Sequence, residues 1–163
     1  MLRSLKTSLI LFAALMCLGH ATNNIVNITS AFGAVGYVLG NMEHTVYPQS
    51  FLPAITSPAL IWLSLAIIIG CEYAAGALFA KGAWDMWRAR QSSPGEFAAA
   101  KKFAVLGAGA ALFVWFGLFQ VIGGTFFQQW QTQAGWLSLE GAFIYAALPT
   151  LAVLYTVGTP DDY

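Results

Sequence analysis

Residues 81–102 read KGAWDMWRARQSSPGEFAAAKK, and this stretch decides the fold. It carries Lys81, Arg88, Arg90, Lys101 and Lys102 between the second and third long apolar runs. The remaining basic residues, Arg3 and Lys6, precede the first run. The connections 22–57 and 122–137 contain no Lys or Arg. Basic loops stay on the cytoplasmic side because moving them across against the membrane potential is costly. The asymmetry predicts an all-α membrane protein with four transmembrane helices and both termini cytoplasmic.

Composition points the same way. Of 163 residues, 58% are hydrophobic and 9% charged, against about 25% charged in an average soluble domain. So few charges cannot cover a water-exposed fold of this size. The length suits one domain, 1–163. A formal net charge of +0 argues against nucleic acid, which needs a basic face. Cys17 and Cys71 fall inside apolar runs and read as small buried hydrophobes rather than a disulfide framework or a metal knuckle.

A span needs about 20 mostly apolar residues. Segments 5–26, 58–80, 103–122 and 139–157 qualify. No ten-residue alternating strands appear, which excludes a barrel. The first segment also has the outline of a secretory signal peptide, with Arg3 and Lys6, the run Leu9–Leu18 and the small-residue end Gly19-His20-Ala21. The expectation here is a retained first helix.

Within 22–57, Phe32, Val35, Leu39 and Met42 recur at helical spacing, which predicts a short helix lying in the outer interface. Pro48 and Pro53 then lead extended chain to Pro58, placed for the first turn of span two. In the 81–102 link, Trp84 and Trp87 beside Arg88 and Arg90 read as an interfacial anchor, rings at the headgroups and cations at phosphate. The third connection, Gly123-Gly124-Thr125-Phe126-Phe127-Gln128-Gln129-Trp130-Gln131, is uncharged and rich in amides and rings. It reads as a segment resting on the outer surface, with Gly123, Gly124, Phe126, Phe127 and Gln131 as docking positions. Phe126, Phe127, Trp130 and Trp136 supply an outer aromatic belt.

Glu72 lies about 13 Å of helix from Lys81, deep enough for ionisation to be costly. Acids within spans face a bundle interior or a cavity. Ile68, Ile69, Ala75 and Gly76 share its face, so the carboxyl is expected to point at protein. Three roles stay open: a bond to another helix, a bond to a partner subunit, and proton or substrate handling. Small residues at Gly70/Ala74 and Gly107/Ala111 permit close helix approach. Haem between His20 and His44 is disfavoured, since neither is embedded in a span. No metal-ligand spacing, nucleophile elbow or phosphate-cradling loop appears. No cofactor is expected, and any bound group would be a lipid, quinone or pigment tail.

Several of these residues carry a resemblance. Glu72 within span two, Ala100-Lys101 leading into span three, Gly123-Gly124-x-Phe-Phe-x-x-Trp130-Gln131, Ala54-Ile55-x-Ser57-Pro58 and the terminal Pro160-Asp161 resemble the bacterial family of predicted small integral membrane proteins of unknown function. The likeness runs over nearly the whole chain and implies its four-span topology. The chain departs from the family pattern at Thr125, at Ile144 and at Trp136-Leu137-Ser138-Leu139. Together these observations predict a non-catalytic accessory subunit of a larger bacterial inner-membrane complex, respiratory or photosynthetic, bracing other integral subunits and holding lipid. The alternative is a small transporter or transporter component using Glu72.

Overall fold

In the computed structural model, which describes residues 1–162, four long helical passes run back and forth. Helix α1 covers Leu2–Val26 and, after a break at Asn27, continues as α2 over Ile28–Leu39. Helix α3 covers Pro58–Ala89, with its proline in the first turn. The third pass is compound: α4 (Pro94–Ala100), α5 (Lys102–Leu112), then a π-helical stretch, Phe113–Phe126. A 3-10 turn at Gln129–Gln131 leads into α6, Gln133–Gly158. All four passes are long and apolar enough to cross a membrane.

The basic stretch is more helical than its composition implies. Helix α3 passes the expected end at Ala80 because Gly82, Ala83 and Met86 continue its buried face, while Lys81, Trp84, Trp87 and Arg88 line the exposed one. The turn is confined to residues 90–93. Pro94 then starts α4, and the Ser93 hydroxyl and Glu96 carboxylate cap it reciprocally, satisfying helix N–H groups that have no partner inside the helix.

Helix α3 is the spine, with α1 and α2 on one side and α5 on the other. Its contact with α1 is antiparallel: a side chain at Gly76 would strike Leu18, and the Thr22 and Tyr73 hydroxyls are 3.2 Å apart. The register survives the break at Asn27. Phe32 lies against Trp62 with ring centroids 4.6 Å apart, and Ile61 faces Gly36. The short helix of the first connection therefore runs along the opening turns of α3. On the other side, Gly82 meets the backbone of Ala104 and Gly107 meets the ring of Phe79. Helix α6 closes the bundle against α1, α5 and the π-helical stretch.

The core between them holds Ile10, Ala14, Cys17, Ala75, Phe79, Met86, Ala104, Ala111 and Trp115. Gly76, Gly107 and Ala111 are buried where helices of the chain meet. Gly70 and Ala74 do not: both are exposed, and a Cβ at Gly70 would meet nothing within 4 Å. Exposed Trp62 and Trp84 mark the two ends of α3's apolar surface, about 33 Å apart along the helix. That matches a hydrocarbon layer of about 30 Å. Between these markers Glu72 sits near the midpoint, about 15 Å from Trp62 and 18 Å from Trp84.

Candidate functional site

Glu72 is buried, 2% exposed. Its partner is an amide from α1: Asn24 Nδ2 donates to Glu72 Oε2 at 2.9 Å. The neighbours named from sequence explain the direction it takes. Ile69, Ala75 and Gly76 are buried on the same face, and the bare Cα of Gly76 lets α1 come close enough for Asn24 to reach.

Asn24 also lines an apolar cleft of about 400 Å³, within the size range of small-ligand sites. The cleft runs from Asn24 and Ile68 toward Leu39, Gln129 and Ser138, between α2, α3, the π-helical stretch and the start of α6. One wall is the face of α2 carrying Ala31, Ala34, Val35 and Val38, spaced as one side of a helix. Another is formed by Leu118, Phe119, Ile122 and Gly123 of the π-helical stretch. π-helices are rare, mostly single turns, and recur at functional sites. Here the wider winding continues to Phe127 N, which bonds Ile122 O at 3.0 Å.

Gln129 lines the cleft, and the double glycine puts it there. A Cβ at Gly123 would lie 2.9 Å from Gln129 Oε1, and one at Gly124 would lie 3.1 Å from Leu139 Cδ2. Gln128 takes a left-handed conformation, φ 51°, which turns the chain back over these glycines. The Gln129 side chain ends buried, 3% exposed, and its Nε2 has no hydrogen-bond partner among the described residues. A buried unpaired donor costs about 1–3 kcal/mol.

The segment expected to rest on the outer surface is largely folded inward. Phe127 is 2% exposed and joins Leu39 and Ile61 in a second small core, and Gly123 and Gly124 are buried. Phe127 therefore leaves the aromatic belt. Phe126 and Trp130 are half-buried, the latter edge-on to Tyr47, and Trp136 is exposed. The Gln131 amide holds the long loop instead, accepting from Val46 N and Tyr47 N and donating to Tyr47 O.

At the opposite, basic end, three cations gather around the C-terminal tail. Lys6 is fully buried, and its ammonium donates to Thr159 O, Pro160 O and Asp161 Oδ1 at 2.7, 2.9 and 2.7 Å. All three of its donors are used. Lys101, from the junction of α4 and α5, grips both Asp161 oxygens at 2.7 and 2.8 Å. Arg3 pairs with Asp162 and donates to Ser92 O at 2.6 Å, with its guanidinium over the Phe97 ring. Burial pushes the Asp161 carboxyl up, but hydrogen bonds and charge from Lys101 and Lys6 outweigh it and hold it below its ordinary 3.8. This knot ties both termini to one end of the bundle.

The anchoring residues sit beside it. Trp84, Trp87 and Arg88 are exposed, and the Arg90 guanidinium stacks 3.9 Å over the Trp87 ring. The histidines meet different neighbours: His20 lies against Tyr145 and Trp115, and His44 faces Ser50. Among the described residues, no three His, Cys, Asp or Glu side chains cluster in a way that could hold a metal.

A family model described as "Predicted small integral membrane protein (DUF2165)" matches residues 2–158. The chain belongs to this family. The match takes in all four passes, the Glu72–Asn24 pair, the cleft and the two lysines of the knot. No curated protein and no solved structure matches the chain. The family's description gives an integral membrane protein and no activity, so function has to be argued from the site.

Sequence reasoning passed over Asn24, Gln129 and Glu140. Asn24 stands in the Asn23-Asn24 pair near the end of the first span, a position that reads as ordinary boundary polarity. Gln129 was one amide among several. Glu140 is exposed on α6, one turn beyond Trp136, with no hydrogen bond or ion pair among the described residues.

Proposed function

We propose that this protein is a non-catalytic accessory subunit of a larger complex in a bacterial inner membrane, respiratory or photosynthetic, where it braces other integral subunits and holds lipid. Both termini and the basic end face the cytoplasm in this reading, and the short helix α2 packs on α3 at the level of the outer interface. The observation that carries it is the outward face of α3. Ala66, Gly70 and Ala74 form an exposed stripe four residues apart, the pattern that lets transmembrane helices pack closely. Gly76, Gly82 and Gly107 are each filled by a helix of the same chain. Gly70 alone on that helix is bare, which suits a helix from another subunit. Glu140, exposed and without a partner among the described residues, gives a second reason to expect a neighbouring chain, because acids on span surfaces are costly to leave facing lipid.

Gly70→Leu separates the two uses of glycine. It is expected to leave unfolding in detergent unchanged, since its side chain enters open space, while removing the partner from the material purified with it. Retention of a stoichiometric partner by Gly70→Leu would contradict this placement of the interface.

A second reading is favoured by one specific contact. Asn24 touches both Glu72 and the cleft, so a single amide separates the carboxylate from space a solute can enter. Transport by way of Glu72 predicts that Glu72→Gln abolishes uptake while folding persists. Wild-type growth and uptake in Glu72→Gln would remove that reading and leave the pair as a helix–helix bond.

A further inference from the structure

We infer that two copies of this chain pair in the membrane through the outward face of α1 and the start of α2, with Asn23 and Ser30 bonding their own counterparts. This goes beyond the accessory-subunit reading: it assigns a helix face which that reading leaves open, and it holds whichever protein covers α3 and α6.

Residues 22–30 read TNNIVNITS, polarity that suits the end of a span. The structure sets them deeper. Leu18 lies against Gly76, Thr22 against Tyr73 and Asn24 against Glu72. Farther along, Phe32 stacks on Trp62. Asn23 is therefore level with Glu72, near the midpoint between Trp62 and Trp84, and Ser30 lies about 3 Å inside the level of Trp62. Thr22 and Asn24 bond to α3, and the Asn27 amide donates to Asn23 O at 3.0 Å. The Asn23 amide and the Thr29 and Ser30 hydroxyls are exposed and have no hydrogen-bond partner among the described residues. Hydrocarbon offers no water to satisfy them, and such side chains bond across helices instead.

Two arguments choose a second copy as the occupant. The one-sided placement of Lys and Arg inserts every copy the same way up. A two-fold axis along the membrane normal then brings each residue to its counterpart at equal depth. An amide or a hydroxyl both donates and accepts, so it can bond its own copy. The same axis set against α6 would instead bring Glu140 to Glu140, and like charges repel. The face on α1 is self-complementary and the one on α6 is not. Its spacing also suits helix pairing: Phe12, Leu15, Gly19, Asn23, Val26 and Ser30 recur every three or four residues, and all are exposed. A Cβ at Gly19 or Gly33 would meet nothing within 4 Å, so a second helix can come close on either side of the polar stretch.

The test uses the full chain, weighed by native mass spectrometry in mild detergent and cross-linked in membranes through Val26→Cys with copper phenanthroline. Cys17 is buried and Cys71 half-buried, so the chain without the added thiol is the blank. The expected results are a particle holding two copies and a covalent band at twice the chain mass for Val26→Cys, with none for Leu148→Cys on α6. Asn23→Leu should weaken pairing by about tenfold, the factor an interhelical hydrogen bond carries in lipid, and should unfold with wild type. Asn23→Gln should keep the pair. Absence of the Val26→Cys band, its replacement by a link to a different protein, or wild-type pairing by Asn23→Leu would overturn the inference. Two copies without any other membrane protein would support it and contradict the accessory-subunit reading, and a larger complex holding one copy would do the reverse.

Discussion

Gly82→Leu is expected to unfold at a markedly lower temperature than the wild-type chain. A Cβ at Gly82 would lie 2.6 Å from Ala104 N and 3.0 Å from Ala104 Cα. These are backbone atoms of α5, and no rotamer change moves them aside. The helices must separate where they cross, which removes contacts on both sides of the spine. Overpacking of this kind costs about 1–3 kcal/mol, and more where backbone has to shift. The adjoining site is softer, since a Cβ at Gly107 meets the Phe79 ring, 2.8 Å away at Cγ. Thermal unfolding in detergent, followed by circular dichroism, should rank the variants Gly82→Leu, then Gly107→Leu, then Gly70→Leu level with wild type. A Gly82→Leu chain melting with wild type would show that α3 and α5 do not cross there.

Asp161→Asn should also be strongly destabilising, and Lys6→Met should be milder. Asp161 is the shared acceptor for Lys6 and Lys101. Its neutralisation leaves two ammonium groups together, one of them fully buried. Breaking a buried pair from one side costs about 3–5 kcal/mol. The lower part of that range applies, because Asp161 is 17% exposed and Lys6 keeps two carbonyl acceptors. Lys6→Met instead removes a buried charge, fills similar volume and leaves Asp161 paired with Lys101. The pH dependence has a definite sign. The folded-state value of Asp161 lies below its ordinary 3.8, so the pair stabilises the fold above that value. The contribution is lost as pH falls through the folded value. Acid unfolding of the wild type should therefore steepen below pH 3.8, and that limb should flatten in Asp161→Asn. An unchanged acid limb would contradict the knot.

Much of the architecture was legible because hydrocarbon imposes simple demands. Long apolar runs and the placement of Lys and Arg gave the four passes, and the spacing of Ile69, Ala75 and Gly76 around Glu72 gave the direction of its carboxyl. What the sequence hid was where polar side chains find partners. Lys6 and Lys101 read as loop markers, yet both close on the C-terminal tail, a contact between chain ends that periodicity does not report. The resemblance had already drawn attention to Lys101 and to Pro160-Asp161, and the structure shows that they bond each other. The Gly70/Ala74 and Gly107/Ala111 pairs look alike in sequence, but only the second faces a helix of its own chain. Which face a neighbour covers depends on the rotation of α3, and that is set by packing elsewhere. The cleft was hidden for a related reason: one of its walls is the π-helical stretch after Leu112, and Phe113–Phe126 carries no local signal of that winding.

The most direct test of the accessory-subunit account is the intact mass of the particle that carries the wild-type chain, extracted in mild detergent and weighed by native mass spectrometry. The account predicts a stoichiometric assembly containing at least one other integral membrane protein. A lone chain, with lipid but no protein partner, would contradict it.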